Sequence, residues 1–313
     1  MNRCCNGRSN AIRQALYTME ITFLGTGSMQ PTKQRNHSGI LLSYKNENIL
    51  LDCGEGTQRQ MRIAGIKPAK ITRLLISHWH GDHVFGIPGL LSSMGADKPE
   101  STLKIYGPAG TKKFIEYMLK GFVVKDVIGH EIHEVKAGRI VDMEDFFIEA
   151  HALKHSAPCF GYAFMEKDRL RIEVTTAKKL GLEGPILGQI QQGKDVEWKG
   201  KKVKAKEVTY IQKGKKVSYI ADTLPCEGAY ALAKDADLLI SEGTHLDEIK
   251  EKTEKYKHLT VKQAALIASE SNAQKLIITH LSPRYKRSLE TAEEARTYFP
   301  NSLVAEDFMK VKV

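Results

Sequence analysis

The stretch 77-SHWHGDHVFG-86 constrains this chain most, because it crowds three histidines and one aspartate into positions 78–83. Histidine fills a protein core poorly but binds metals well through its ring nitrogens. The cluster follows the apolar run 71-ITRLLIS-77, which predicts a strand that delivers it to a loop. The four candidate metal ligands are His78, His80, Asp82 and His83.

The spacing H-x-H-x-D-H favours two metal ions over one. A metal-binding helix presents ligands four positions apart, whereas a turn at Gly81 can aim neighbouring side chains in two directions. His78 and His80 can then share one ion while Asp82 and His83 face a second. Imidazole and carboxylate ligands suit zinc in sites that keep one position open for water. Two catalytic ions need further ligands from elsewhere in the chain.

Three other apolar runs end in a residue type that binds metals. His155 ends the run 145–155, Asp222 follows 217–221 and His280 follows 275–279. His151 competes with His155, since strand alternation puts both on one face. His155 is favoured because it lies where the strand ends, and His151 is expected in the core or behind the ligands.

Short strands and helices occur on both sides of a lysine- and glycine-rich segment at about 167–216. Residues 38–56 predict a hairpin, and 111–120 and 260–271 predict helices. This order predicts two similar α/β layers with the sheets back to back and the helices outside. Residues 1–18 are expected to be a disordered extension.

The amino-acid composition indicates which kind of binding partner and which cellular compartment to expect. The net charge of +10 and a pI of about 9.2 favour an anionic partner, most commonly nucleic acid, although a lysine-rich surface gives the same charge. Five cysteines without zinc-site spacing predict a reducing compartment. No apolar stretch approaches the roughly 20 residues of a membrane span, and no signal peptide is evident. We therefore expect a soluble, cytoplasmic protein without a membrane partner.

The full ligand set resembles the metallo-β-lactamase superfamily, and Asp52 matches the early aspartate of that superfamily. Finer motifs resemble the ribonuclease Z family from Met19 to the C-terminus. They include PTKQRN (31–36), HLTVKQAA (258–265), THLSPRY (279–285) and FPNSLVAEDF (299–308). The resemblance implies an α/β fold, a metallo-β-lactamase-like four-layer αββα sandwich. Residues 19–313 would form one domain with a protruding basic exosite arm at about 167–216.

The resemblance also implies a reaction and its metals. It predicts a zinc-dependent endoribonuclease that removes the 3′ trailer from precursor tRNA, cutting after the discriminator base and leaving a 3′-hydroxyl. Two zinc ions per subunit would activate the hydroxide that attacks the phosphodiester. One zinc would bind His78, His80, His155 and Asp222. The other would bind Asp82, His83, Asp222 and His280.

Three residues receive catalytic roles from the resemblance. Asp82 would accept the proton of the attacking water, and His258 would protonate the ribose 3′-oxygen. Glu242 would hold the tautomer of His258. The family often has His-Glu-Ala-Thr where this chain has Ser-Glu-Gly-Thr at 241–244, so the surroundings of Glu242 differ.

Substrate contacts are expected in three places. The PTKQRN turn offers Lys33, Arg35 and Asn36, and Arg284 follows the ligand His280. The arm, with Gly184 and Pro185, would grip the tRNA elbow, and its Trp198 would either stack on a base or pack the arm. The family is a homodimer in which the arm of one subunit serves the active site of the other.

Two alternatives stay open at this point. The first is another dizinc hydrolase of this fold acting on a small molecule, such as an arylsulfatase, a cyclic-nucleotide phosphodiesterase or a lactonase. The PTKQRN turn and the basic arm argue against it. The second is a non-catalytic RNA-binding module on a relic fold, which the complete ligand set disfavours.

Overall fold

The computed structural model describes residues 19–97, 102–123 and 127–313. The extension predicted at residues 1–18 lies outside the described residues. The chain divides into two compact units. The larger unit takes in the described parts of residues 1–141, 148–164 and 216–313, and the smaller unit comprises residues 142–147 and 165–215.

The strands are β1 (Glu20–Gly25), β2 (Gly39–Tyr44), β3 (Glu47–Leu51), β4 (Arg73–Leu75), β5 (Leu103–Gly107), β6 (His130–Glu134), β7 (Gly138–Asp142), β8 (Phe146–Leu153), β9 (Cys159–Glu166), β10 (Arg169–Ile172), β11 (Val196–Trp198), β12 (Lys201–Val203), β13 (Thr209–Gln212), β14 (Lys216–Ile220), β15 (Leu238–Glu242), β16 (Leu276–Thr279), β17 (Ser302–Val304) and β18 (Lys310–Lys312). The α-helices are α1 (Thr57–Ile63), α2 (Gly81–Val84), α3 (Ile87–Asp97), α4 (Thr111–Lys120), α5 (Val174–Lys179), α6 (Ile186–Gln191), α7 (Glu227–Ala233), α8 (Lys250–Lys255), α9 (Val261–Glu270) and α10 (Leu289–Tyr298). Within the described ranges, none of these helices has the length and apolar character needed to cross a bilayer.

The first seven-stranded sheet has the order β18-β1-β2-β3-β4-β5-β6. It contains the predicted hairpin of β2 and β3, in which Ile40 pairs with Leu51. Strands β3 to β6 are parallel, so their carboxyl ends meet at one edge of the sheet. That edge holds Asp52, just after β3, and the histidine loop that follows β4.

The second seven-stranded sheet has the order β17-β16-β15-β14-β9-β8-β7. Strands β14 to β17 are parallel, and helices lie between them in the chain. Parallel strands covered on both faces are mainly apolar, as in β16, where all four residues are buried and three are Leu or Ile. The carboxyl ends of β14 and β16 therefore bring the residues that follow them together.

The two sheets pack face to face. The hydroxyl of Tyr162 donates to the Ile76 carbonyl at 2.6 Å, and the rings of Tyr44 and Phe164 meet edge to face with centroids 5.2 Å apart. Helices pack against both sheets, with α1 on β1, α4 on β6, α7 on β14 and α9 on β15 and β16. This layering confirms the predicted metallo-β-lactamase-like α/β fold.

The smaller unit has a core of its own. Its ladders are β10 with β13 and β11 with β12. Trp198 packs against the core and donates its indole N–H to the Gly181 carbonyl at 3.1 Å, which favours the packing role over base stacking. Binding of RNA by this unit stays a prediction. The core residues are Ala177, Leu182, Ile190, Val196, Val203, Ala205 and Val208.

Candidate metal centre

Every predicted ligand lies where a strand of the larger unit ends. After β4, a loop and the short helix α2 carry four of the ligands. Strands β8, β14 and β16 each end one or two residues before another. The seven side chains that meet there are those of His78, His80, Asp82, His83, His155, Asp222 and His280.

Four of these side chains form a first group of candidate ligands, called the first ligand group below. The His80 Nδ1 atom lies 3.0 Å from His78 Nε2 and 3.2 Å from His155 Nε2. The Asp222 Oδ2 atom lies 3.6 Å from His78 Nε2 and 3.8 Å from His155 Nε2. One ligand atom of each residue lies within 4.8 Å of the others, a separation that suits a single ion.

A second ligand group adjoins the first. The Nε2 atoms of His83 and His280 are 3.1 Å apart. Asp82 Oδ2 lies 3.4 Å from His280 Nε2 and 3.6 Å from His83 Nε2. Asp222 Oδ2 is 3.6 Å from His83 Nε2, so this one carboxylate touches both groups.

Asp52, just after β3 of the first sheet, holds two candidate ligands in place, one directly and one through Ser77. It accepts from His83 Nδ1 at 2.8 Å and from the Ser77 hydroxyl at 2.8 Å. Because the Ser77 hydroxyl donates its hydrogen bond to Asp52, its oxygen accepts from His78 Nδ1 at 3.0 Å. Tyr219 adds a further hydrogen bond to Asp52 at 2.9 Å. Both histidines therefore turn an unprotonated Nε2 toward the centre.

Two further candidate ligands are fixed in the same way from the chain between β15 and β16. The Lys257 carbonyl accepts from His155 Nδ1 at 2.9 Å. Thr244 donates its hydroxyl to Glu242 at 2.6 Å, so it accepts from His280 Nδ1 at 3.1 Å. These outer partners set the tautomer and raise the basicity of each ligand.

The residues fit metal ions. Imidazole nitrogens lie 3.0–3.2 Å apart in both groups, and a cation held between them would use their lone pairs as ligands. In addition, the buried Asp222 Oδ1 has no hydrogen-bond partner among the described residues. Imidazole and carboxylate donors of this kind are typical of zinc, copper, iron and nickel sites.

Asp82 stays ionised in this setting. Burial alone raises the pKa of its carboxyl group, but His83 and His280 outweigh that effect and hold the pKa well below its usual value. The Met29 main-chain N–H also donates to Asp82 Oδ2 at 2.8 Å. The carboxylate is thus a charged, oriented group at the edge of the second ligand group.

The structure brings His258 and Glu242 together. His258 Nδ1 lies 3.2 Å from Glu242 Oε2 and 3.7 Å from Asp222 Oδ2. Burial lowers the pKa of His258, but the charges of Glu242 and Asp222 outweigh it and raise the pKa to about 9. A histidine in this state is a proton donor at neutral pH.

The PTKQRN turn presents only part of its polar surface to solvent. Lys33 is exposed, whereas the Arg35 guanidinium is buried and donates to Thr26 Oγ1 and the Ala305 carbonyl, each at 2.6 Å. The Asn36 amide donates to a main-chain carbonyl at 2.7 Å. Arg35 therefore holds the turn to the C-terminal segment, and its contact with the substrate stays a prediction.

The other predicted substrate residues are exposed. Arg284 lies next to a cavity of about 390 Å³ that is lined by residues 32–35 together with Pro283, Tyr285 and Lys286. In the smaller unit, Gly184 has φ 72° and is followed by Pro185, which caps α6.

His151 takes no part in either ligand group. Its Nε2 lies 3.7 Å from Glu149, and its side chain is half-buried. In place of the expected core or supporting role, His151 lies in a partly exposed ion pair with Glu149. Sequence reasoning also missed the Lys257 carbonyl and the Met29 N–H, because main-chain groups leave no signal in residue type.

Curated relatives align with nearly the whole chain. Ribonuclease Z of Methanothermobacter thermautotrophicus is 43% identical over 94% of this chain and 97% of its own length. Ribonuclease Z of Protochlamydia amoebophila is 39% identical over 93% of this chain and 95% of its own length. The chain belongs to the ribonuclease Z family. It is therefore an endoribonuclease of the metallo-β-lactamase superfamily.

Solved structures agree with membership of the ribonuclease Z family. The crystal structure of human tRNase Z, short form, has a TM-score of 0.67 and 28% identity, and the match covers 93% of this chain and 98% of that chain. The metallo-β-lactamase fold protein YhfI from Bacillus subtilis has a TM-score of 0.68 at 20% identity over 95% of this chain and all of its own (100%), which supports the fold alone. A family model described as Anti-Pycsar protein Apyc1 matches residues 19–174, just under half of the 313 residues, and this match ends before Asp222 and His280.

Proposed function

We propose that this ribonuclease Z is a dizinc enzyme that removes the 3′ trailer from precursor tRNA. It cuts after the discriminator base and leaves a 3′-hydroxyl. The observation that carries the proposal is the pair of ligand groups sharing Asp222, which matches two adjacent cations. The names of the relatives, ribonuclease Z and tRNase Z, support tRNA as the substrate.

Each ligand group would hold one zinc ion. When bound, two zinc ions lower the pKa of water at the site toward neutrality and offset charge on the phosphoryl oxygens. One ion would bind His78, His80, His155 and Asp222. The other would bind Asp82, His83, Asp222 and His280.

The side chains around the ligands would move the protons. Asp82 takes a proton from the attacking water, since its carboxylate is ionised and its Oδ2 is held by a main-chain N–H. His258 gives a proton to the ribose 3′-oxygen, which leaves poorly as an alkoxide. Glu242 occupies Nδ1 of His258, so Nε2 is the nitrogen that delivers the proton.

Exposed basic residues near the centre would position the RNA. Lys33 and Arg284 belong to the two loops around the 390 Å³ cavity, where a phosphate next to the scissile bond would meet both. Asn36 and Arg35 support the loop from inside through their hydrogen bonds.

The smaller unit would act as the exosite. In this proposal residues 19–313 are one domain, and the lysine-rich segment 167–216, with Gly184 and Pro185, is an arm that grips the tRNA elbow. Two chains would form a homodimer in which each arm serves the active site of the partner. The reducing, tRNA-containing cytoplasm is the compartment that fits this reaction.

A cleavage assay tests the proposal. Precursor tRNA with a short 3′ trailer is incubated with zinc-loaded protein, and the products are mapped at nucleotide resolution. We expect one cut just after the discriminator base, and we expect Asp82→Ala to abolish cutting while tRNA binding persists. If protein with two bound metals per chain makes no cut, the tRNA proposal fails and small phosphodiesters and sulfate esters are tested next.

A further inference from the structure

The loop at residues 26–31 contacts the second ligand group at two places, beside His280 and at Asp82. Ser28 N donates to the Leu281 carbonyl at 3.0 Å, directly after the ligand His280. On its other side, Met29 N donates to Asp82 Oδ2 at 2.8 Å. The Met29 carbonyl accepts from His37 Nε2 at 3.1 Å. Both main-chain groups of Met29 are therefore hydrogen-bonded, and its N–H is bonded to the candidate ligand Asp82.

The backbone at Met29 is in the left-handed region, with φ 55°. Side chains larger than glycine adopt this conformation rarely, and such residues concentrate at functional sites. Asp52 and His280, both at the centre, share this conformation with φ 58°. The hydrogen bonds of Met29 use only main-chain atoms, so glycine would make them with less strain.

The side chain of Met29 is left in solvent beside the centre. It is 75% exposed, more than most large apolar side chains in the described part of the chain. Packing in a core therefore does not explain it. A thioether is flexible and polarizable, and it makes favourable contacts with aromatic rings. A nucleobase next to the scissile phosphate is such a ring.

We infer that Met29 is a specificity-determining residue of the centre. Its main-chain N–H orients Asp82, and its side chain contacts a base that flanks the cleaved phosphate. This inference rests on the proposed cleavage of precursor tRNA. It assigns to the loop a contact with a base, in addition to the phosphate contacts proposed for Lys33 and Arg284.

The test compares Met29→Gly with Met29→Leu in the zinc-loaded enzyme. Met29→Gly should raise KM for precursor tRNA roughly three- to tenfold, the range of a thioether contact with an aromatic ring. Met29→Leu keeps the apolar contact and should stay closer to the parent enzyme. Hydrolysis of bis(p-nitrophenyl) phosphate should fall less than cleavage of precursor tRNA in Met29→Gly, because glycine retains the N–H to Asp82.

A matched control is Lys45→Gly in the turn between β2 and β3, where Lys45 has φ 53°. This change relieves the same backbone strain in a turn outside both ligand groups. It should therefore leave KM for precursor tRNA unchanged. An unchanged KM in Met29→Gly would overturn the inference while leaving the proposed function intact. Equal losses on both substrates would also overturn the inference, because they would assign the effect of Met29 to the metal centre rather than to a contact with a base. No cleavage by the parent enzyme would instead sink the proposed function.

Discussion

Asp222 decides whether the two ligand groups act as one centre. Its carboxylate is buried and touches His78 and His83, one residue from each group. Burial raises the pKa of this carboxyl group, but the neighbouring histidines, His280 first, outweigh it and hold the pKa well below its usual value. An ionised carboxylate in such a place is costly unless cations compensate it. Metal binding should therefore also stabilise this edge of the fold.

Strand β8 offers a matched pair of histidines for testing the ligands. The His155 side chain is 2% exposed and belongs to the first group, whereas that of His151 is 28% exposed and pairs with Glu149. His155→Asn should lower both zinc content and kcat, the latter by more than about 100-fold, because changes behind the ligands already cost 10–100-fold. His151→Asn should change neither quantity. Zinc analysis and cleavage kinetics check this, and zinc loss in His151→Asn would move the ligand to position 151.

Two residues of the PTKQRN turn should have different roles. Arg35 supports the fold, and Lys33 is expected to contact the substrate. Arg35→Ala leaves buried partners at Thr26 and Ala305 without their donor and should lower the free energy of unfolding by about 2–4 kcal/mol. Lys33→Ala removes an exposed charge and should leave stability within about 0.5 kcal/mol. Its effect should instead be a higher KM for precursor tRNA. Urea denaturation and cleavage kinetics distinguish the two, and equal stabilities would contradict the buried role of Arg35.

That the seven candidate ligands lie together could be predicted, because each lies at or just after the end of an apolar run and has a side chain that binds metals. The choice of His155 over His151 needed one further step, the position at the end of the strand. The orientation of the Arg35 side chain could not be predicted in this way. An arginine on a turn gives the same sequence pattern whether its guanidinium faces RNA or a buried carbonyl. The orientation depends on the C-terminal segment, which packs against the turn and supplies the Ala305 carbonyl.

At the scale of elements, helix α9 begins with a capping box. Thr260 Oγ1 accepts from Gln263 N at 3.2 Å, and the Gln263 side chain accepts from Thr260 N at 2.9 Å. Thr260→Ala should lower the free energy of unfolding by about 1 kcal/mol, the usual effect of losing such a cap. Thr260→Ser keeps the hydroxyl and should lose much less. Denaturation of the two variants measures the difference, and equal losses would assign the effect to the Thr260 methyl group.

Elements with a strong local pattern could be predicted, and others could not. The helix predicted at 111–120 has those bounds as α4, and the helix predicted at 260–271 is α9. Strand β6, with the sequence HEIHE, lies at a sheet edge and is largely exposed, so it has no apolar run to reveal it. Strand β18 forms only by pairing with β1 across the length of the chain, as in Glu20 with Lys312. No local signal encodes such a pairing.

At the scale of the whole molecule, the centre exists only when both sheets are in place. The first sheet supplies the histidine loop and Asp52, and the second supplies the strands that lead to the remaining ligands. The Tyr219 hydroxyl, on the second sheet, donates to Asp52 on the first. Ligand geometry is thus a property of the packed pair of sheets rather than of any one motif.

A deletion within the smaller unit is the largest change to the chain that the fold suggests. Strands β10 and β13 pair so that Arg169 stands opposite Gln212, which places the two chain ends side by side. Residues 170–211 can therefore be replaced by Asn-Gly, a two-residue hairpin turn. This removes most of the segment 167–216 and keeps the paired residues at its base.

The shortened chain should bind precursor tRNA at least about tenfold more weakly near 0.1 M salt, since the loss of several phosphate contacts weakens RNA binding strongly. Its affinity should also depend less steeply on salt, because fewer counterions are released on binding. Hydrolysis of bis(p-nitrophenyl) phosphate should persist, because every candidate metal ligand lies outside residues 170–211. Filter binding over a salt series and steady-state kinetics measure both quantities. An unchanged affinity for precursor tRNA would remove the exosite role from the smaller unit and leave Lys33 and Arg284 as the principal RNA contacts.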